Sequence, residues 1–262
     1  MQETSNVFRT GQYHRSFKSK HSYHMHLTRT IQLRIFYATG VRLLHLQGWP
    51  DPLAGADPQV LLCGTASPYT TRTFARFVCR HRADASLDVL DISPYALRQS
   101  AEFLKTCHDL DGAHISFVEG DAMCLPFDNE RFDWIETDFF IQFFSPQEKA
   151  TIFAEWYRVL KPGGVVTTRD WLLEGHGHAE RLVEGAKTRL VRHILGPTTY
   201  SAGVKEVSEA LERLGLVPAL YPVSIPGIRL KIPGMRYLLL HKPGTTGAGD
   251  WLLQSEVSRK PL

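Results

Sequence analysis

The chain has 262 residues, 43% hydrophobic and 22% charged, with a formal net charge of +3. That length and balance suit a large folded domain and exclude disordered, collagen-like and coiled-coil chains. No apolar run approaches the ~20 residues of a membrane span, residues 1–9 lack the apolar stretch of a signal peptide, and the four cysteines form no CxxC pair, which points to a reducing cytoplasm.

Residues 1–57 form a basic arm. The first 50 positions hold seven Lys/Arg against one acid, Glu3, a net of +6, and five of the twelve histidines; the rest of the chain nets −3. Such an arm suits an anionic partner, either a small molecule beneath a helical lid or a larger surface. His21, His24 and His26 suggest zinc, but no cysteine in the arm completes a site, so no metal is expected there.

From residue 58 the pattern alternates. Val60-Leu61-Leu62-Cys63, ending at Gly64, reads as a buried strand, and Ser67-Pro68 as the N-cap and first position of a helix through Phe74, Phe77 and Val78. Residues 87–91 form a second strand, and Ser93-Pro94 caps a helix bearing Leu97, Ala101 and Leu104 on one face. Residues 114–118 and 132–137 are the third and fourth strands, and Ser145-Pro146 opens a helix with Ile152, Trp156, Val159 and Leu160 on one face. Lys161-Pro162-Gly163-Gly164 then turns into a fifth strand over residues 165–168. Residues 172–200 read as a helical insertion. An amphipathic helix follows through Val204, Val207, Leu211 and Leu214, and two apolar stretches, 216–223 and 235–241, should pair as an antiparallel hairpin. Residues 243–262 are a tail. This alternation predicts an α/β fold, a mostly parallel sheet covered by helices on both faces.

In such a sheet ligands sit at the carboxyl ends of the strands. Gly64 ends the first strand, where a missing side chain admits a ligand to the backbone. Asp91 ends the second, where a carboxylate can accept both hydroxyls of a ribose. Asp121 follows the third, where a carboxylate can accept from an adenine amine. Together they outline an adenosine site.

Phe117-Val118-Glu119-Gly120-Asp121-Ala122, Leu125-Pro126-Phe127-Asp128, Arg131-Phe132-Asp133-Trp134 and the run from Glu155 through Arg158-Val159-Leu160-Lys161-Pro162-Gly163-Gly164 resemble, in this order, the class I S-adenosylmethionine-dependent methyltransferases. The likeness is greatest to the small-molecule group that includes the ubiquinone/menaquinone biosynthesis enzymes. It covers about residues 58–242, a methyltransferase-like catalytic domain, and is weak over the arm. It implies a Rossmann-like seven-stranded sheet with the last strand antiparallel, and S-adenosylmethionine as cofactor. Carried over, it implies that Gly64, Thr65 and Ala66 line the methionine part, that Asp91 and Ile92 hold the ribose and flank the adenine, and that Asp121 and Ala122 meet the adenine edge. Thr137 and Asp138 would face the sulfonium, with Asp138 either the general base or a hydrogen-bonding residue. An N-terminal tyrosine, Tyr13 or else Tyr23, would close over the cofactor's carboxylate.

The first motif departs from that family. An acid belongs where Leu62 stands, and Ala66 and Pro68 replace the second and third glycines. A lost charge-assisted bond of this kind is worth roughly 1.5–3 kcal/mol, about ten- to hundredfold in affinity. The loop is therefore a tolerated variant, or one that binds the cofactor through other residues, or one that holds a ligand without methylating. Asp138-Phe139-Phe140-Ile141 lacks the Asn/Asp-Pro-Pro-Tyr/Phe signature of nucleic-acid base methylation, and no RNA-binding motif accompanies the arm, so a nucleic-acid partner is not expected. The first turn also lacks the G-x-G-x-x-G of nicotinamide enzymes. Phe139, Phe140, Phe143, Phe144 and Trp171 either wall an apolar substrate pocket or pack the core. His176 and His178 are further candidates for a substrate-facing base. Asp138 and Asp170, just after the fourth and fifth strands, resemble part of the magnesium set of catechol-type methyltransferases, but Trp171 stands where their asparagine belongs, so no metal is expected.

Overall fold

The computed structural model describes residues 21–65, 67–174, 182, 185–186, 202–224 and 231–244, with side chains described from Leu33 onward. Tyr13, Ala66, His176, His178 and most of the expected 172–200 insertion lie outside these residues, as do the side chain of Tyr23 and the tail beyond residue 244.

Helix α1 (His21–Leu46) precedes strand β1 (Gln59–Cys63), and α2 (Pro68–His81), β2 (Ser86–Asp91), α3 (Pro94–Leu104) and β3 (His114–Glu119) follow. Then come β4 (Phe132–Asp138), α4 (Pro146–Val159), β5 (Leu160–Leu173), the two-residue β6 (Ala202–Gly203), α5 (Val204–Arg213), β7 (Val217–Ser224) and β8 (Lys231–His241). The main sheet runs β3-β2-β1-β4-β5-β8-β7, with β6 beside β5. Strands β1 to β5 are parallel to one another, and β8 is antiparallel to both β5 and β7. The expected sheet and terminal hairpin are both present.

The three Ser-Pro pairs start helices as their chemistry requires. Ser67 accepts from Thr70 N at 3.2 Å and Ser93 from Ala96 N at 3.2 Å, while Ser145 and Glu148 form a reciprocal capping box. Each cap satisfies a backbone N–H that the first helical turn leaves without a partner, worth about 1 kcal/mol. Strand β5 runs to Leu173, past the expected end at Thr168. It lies between β4 and β8, and β8 continues the pairing as far as Met235 opposite Trp171.

Two cores flank the sheet. Leu33, Tyr37, Phe74, Val78, Val60, Leu62 and Trp134 belong to one; Ile152, Phe153, Trp156, Leu61, Ile135 and Leu211 belong to the other. The period-2 alternation of β1 sends Leu62 to the first face and Leu61 to the second. The described end of the basic arm is part of the first core. Leu33, Tyr37, Gly40 and Leu44 fall at helical spacing on its buried side, and a Cβ on Gly40 would lie 3.9 Å from Thr167 of β5. Arg34 and Arg42 face outward. Among the described residues no helix is long and apolar enough to cross a membrane.

Beyond α1, Trp49 stacks on His241 with ring centroids 5.4 Å apart. Burial pushes the His241 imidazole down to about 4. The imidazole of an unfolded chain titrates near 6.5, so between these values the unfolded state holds a proton the folded state lacks. The stabilisation is full above pH ~6.5 and is lost as pH falls toward about 4. His241→Gln should show a flatter fall in urea midpoint between pH 7 and 5 than the wild type; parallel slopes would reject this role.

Candidate functional site

The carboxyl edge of the sheet brings the expected residues into a row: Asp121 after β3, Asp91 at the end of β2, Gly64 after β1 and Asp138 at the end of β4. Leu62 is in register with Glu136, so Gly64, two residues on, is level with Asp138.

Gly64 adopts a φ of +84°, in the left-handed region where a side chain is disfavoured, and its N–H donates to Leu90 O at 2.8 Å. The space a Cβ would take is filled: such an atom would lie 2.7 Å from Cδ2 of Phe140. Phe140 belongs to the loop after β4, where Phe139 itself has a φ of +51° and the Phe140 and Phe144 rings lie 4.8 Å apart. Phe139, Phe140, Phe143, Phe144 and Trp171 are all half-buried.

Asp91 is buried, with one carboxylate oxygen accepting from Thr65 N and the other from Ser93 N, each at 2.8 Å. Each oxygen has two lone pairs, so these bonds fix the carboxylate while leaving capacity to accept from a ligand's hydroxyls. Half-buried Ile92 follows it. Asp121 accepts from Met123 N at 2.9 Å through Oδ1 and so caps its own turn. Ala122 is packed into the second core and reaches the edge only through its backbone. The Thr65 hydroxyl turns inward, 2.6 Å from that of Thr71, so this residue offers the edge its backbone alone.

Leu62 is buried in the first core, and β1 presents no carboxylate at the methionine end. The edge thus carries two carboxylates, Asp91 and Asp121, that could accept from the hydroxyls and amine of an adenosine, while the space above Gly64, expected to be open to a ligand, is taken by the Phe140 ring. At the other end the nearest acid on the edge is Asp138. Cys63 gives no nucleophile, because burial pushes its thiol up to about 12.

Asp138 and Thr137 diverge. Asp138 turns to the α1 face, where its Oδ1 accepts from Arg169 Nη2 at 2.6 Å, both side chains being almost fully enclosed. Thr137 turns to the α4 face, and its buried hydroxyl finds no hydrogen-bond partner among the described residues. Asp170, next to Arg169 on β5, likewise points to the α4 face and accepts from Gln142 N and Trp171 N. Asp138 and Asp170 thus lie on opposite sides of the sheet and do not converge on a cation.

Sequence reasoning missed the polar cluster beneath α1. Trp134 Nε1 donates to Thr167 Oγ1 at 2.7 Å, and Thr167 in turn donates to Glu136. Burial pushes the Glu136 carboxyl well above its ordinary range, against the pull of Thr167 and Arg169. The available signal was compositional. A central strand buried on both faces should be apolar throughout, yet β4 carries Glu136 and Thr137, and β5 carries Thr167, Thr168, Arg169 and Asp170 in succession.

Residues 60–164 match the family described as "Methyltransferase domain". A sterol 24-C-methyltransferase of Debaryomyces hansenii is 31% identical over 111 residues, which is 42% of this chain and 26% of that protein. A demethylmenaquinone methyltransferase of Anoxybacillus flavithermus is 35% identical over 77 residues, 29% of this chain and 30% of that one. The chain thus spans less than a third of the length of these curated relatives. Among solved structures, a putative sarcosine dimethylglycine methyltransferase from Galdieria sulphuraria superposes with a TM-score of 0.58 at 17% identity, covering 81% of this chain and 86% of that chain. A [4+2]-cyclase superposes with a TM-score of 0.54 at 17% identity, covering 78% and 80%. Residues 60–164 thus match a methyltransferase domain, the strand order is the fold shared with these solved methyltransferases, and the cofactor that the match implies is S-adenosylmethionine.

Proposed function

We propose that the chain transfers a methyl group from S-adenosylmethionine to a small apolar or aromatic metabolite. The observation that carries this reading is the fixed Asp91 carboxylate beside Gly64, with Asp121 two residues past its register partner Glu119 along the same sheet edge. The cofactor supplies a sulfonium whose methyl carbon is open to in-line attack. Asp91 and Asp121 hold its adenosine, and the Phe140 loop, laid over Gly64, excludes water and presents an apolar wall to the acceptor. Residues 1–57 would act as a lid through their N-terminal part, with Tyr13 as its closing residue, and their positive charge suits an acceptor bearing a carboxylate or phosphate.

Leu62 supports a second reading. Without an acid at that position the site can hold an adenosyl ligand while another reaction, such as a cyclisation, proceeds beside it; the fold shared with a [4+2]-cyclase is compatible with this. Calorimetry with S-adenosylmethionine and S-adenosylhomocysteine should show binding of both. Labelled methyl should then appear on a member of a panel of aromatic and apolar acids. Absence of binding at millimolar ligand would reject both readings, and binding without label transfer to any acceptor would favour the second.

A further inference from the structure

Arg169 is a buried cation in the middle of the sheet, and its surroundings join two parts of the molecule. Its guanidinium donates to Asp138 Oδ1 on β4. The Phe36 ring of α1 lies 3.8 Å from its Cζ on the first face, and the Phe139 ring lies 5.9 Å away. Its backbone carbonyl accepts from Phe139 N at 2.8 Å, which fixes the start of the left-handed turn that lays Phe140 across Gly64. In register it stands between Asp138 on β4 and Tyr237 on β8. A continuous set of contacts therefore runs from the N-terminal helix to the edge where the cofactor is placed: Phe36, Arg169, Asp138 with Phe139, Phe140, Gly64.

A buried guanidinium needs compensation on every side, and the electron-rich face of Phe36 supplies it where no carboxylate does. Withdrawing that ring opens the cation to water or lets it shift, and either change is passed to Asp138 and the Phe139 turn. We infer that Arg169 is a positioning residue that couples the docking of α1 to the geometry of the cofactor edge, so that the helix and the adenosyl ligand bind interdependently. The inference rests on the reading of that edge as the S-adenosylmethionine site.

The test is calorimetric titration of S-adenosylhomocysteine into the full-length chain and three variants. Phe36→Leu, which keeps bulk but removes the π face, should weaken binding by up to about thirtyfold, the factor that a desolvated cation–π contact represents. Phe36→Tyr should stay within twofold of wild type. In an Arg169→Met background, Phe36→Leu should add little, because the partner it acts through is gone. Phe36→Leu binding as the wild type does would overturn the coupling alone. Equal losses for Phe36→Leu and Phe36→Tyr would also overturn it, since shape rather than charge would then be responsible. If Arg169→Met does not fold, the Leu/Tyr contrast decides by itself. No binding by the wild type would overturn the site reading and the coupling with it.

Discussion

Arg169→Met should destabilise the folded chain by about 3–5 kcal/mol, the range for breaking a buried ion pair from one side. Methionine fills much of the aliphatic volume, so little of this comes from a cavity. The loss arises because Asp138, whose side chain is only 4% exposed, loses the guanidinium that faces it. Glu136 on the same strand face gives no relief, because burial already disfavours its charged form. Asp138→Asn in the Arg169→Met background should recover part of the loss, since a neutral amide does not need a counter-charge. Urea unfolding of the two variants measures both terms. A loss under ~1 kcal/mol for Arg169→Met would mean that the pair is not desolvated as the structure shows.

Asp91→Ala should abolish measurable binding of S-adenosylhomocysteine, with an expected loss of at least about a hundredfold. On the proposed reading, two hydrogen bonds from ribose hydroxyls to this carboxylate would be removed, each worth about 1.5–3 kcal/mol. The same substitution leaves the N–H groups of Thr65 and Ser93 without their carboxylate, about 1–3 kcal/mol apiece in stability. The two effects separate cleanly, because affinity is measured on the folded fraction and stability by denaturant. Adenosine should lose affinity in parallel, whereas Asp121→Ala should weaken both ligands by a smaller factor, since one bond to the adenine amine is at stake. Affinity unchanged by Asp91→Ala would displace the ribose from this edge.

The position of the candidate residues was legible from sequence because they are tied to strand ends. An apolar run that stops at Gly64, and another that stops at Asp91, place those residues at the carboxyl edge whatever the packing. The same logic did not say where each side chain points. Thr65 reads as a site residue by position, yet its hydroxyl bonds inward to Thr71. Thr137 and Asp138 are neighbours in sequence but occupy opposite faces, and only Asp138 shares the face of Leu62. The arm presented the same difficulty. Its charge suggested something outside the fold, but the alternation of Leu33, Tyr37, Gly40 and Leu44 with Arg34 and Arg42 is a helix with one buried side.

The sequence by itself determined the order of strands and helices, the three Ser-Pro starts, the final hairpin and the edge that carries Gly64, Asp91 and Asp121. These are local matters: a run of apolar side chains, a hydroxyl within reach of a free N–H, a glycine where a side chain is disfavoured. Tertiary structure decided the pairing of Arg169 with Asp138, the burial of Glu136 and the ring of Phe36 over the guanidinium. Their partners lie far apart in the chain, and the strand period tells only which face a residue takes. What stands opposite it is set by cross-strand register and by where α1 docks, and for a buried charge that opposing group is the whole of its energetics.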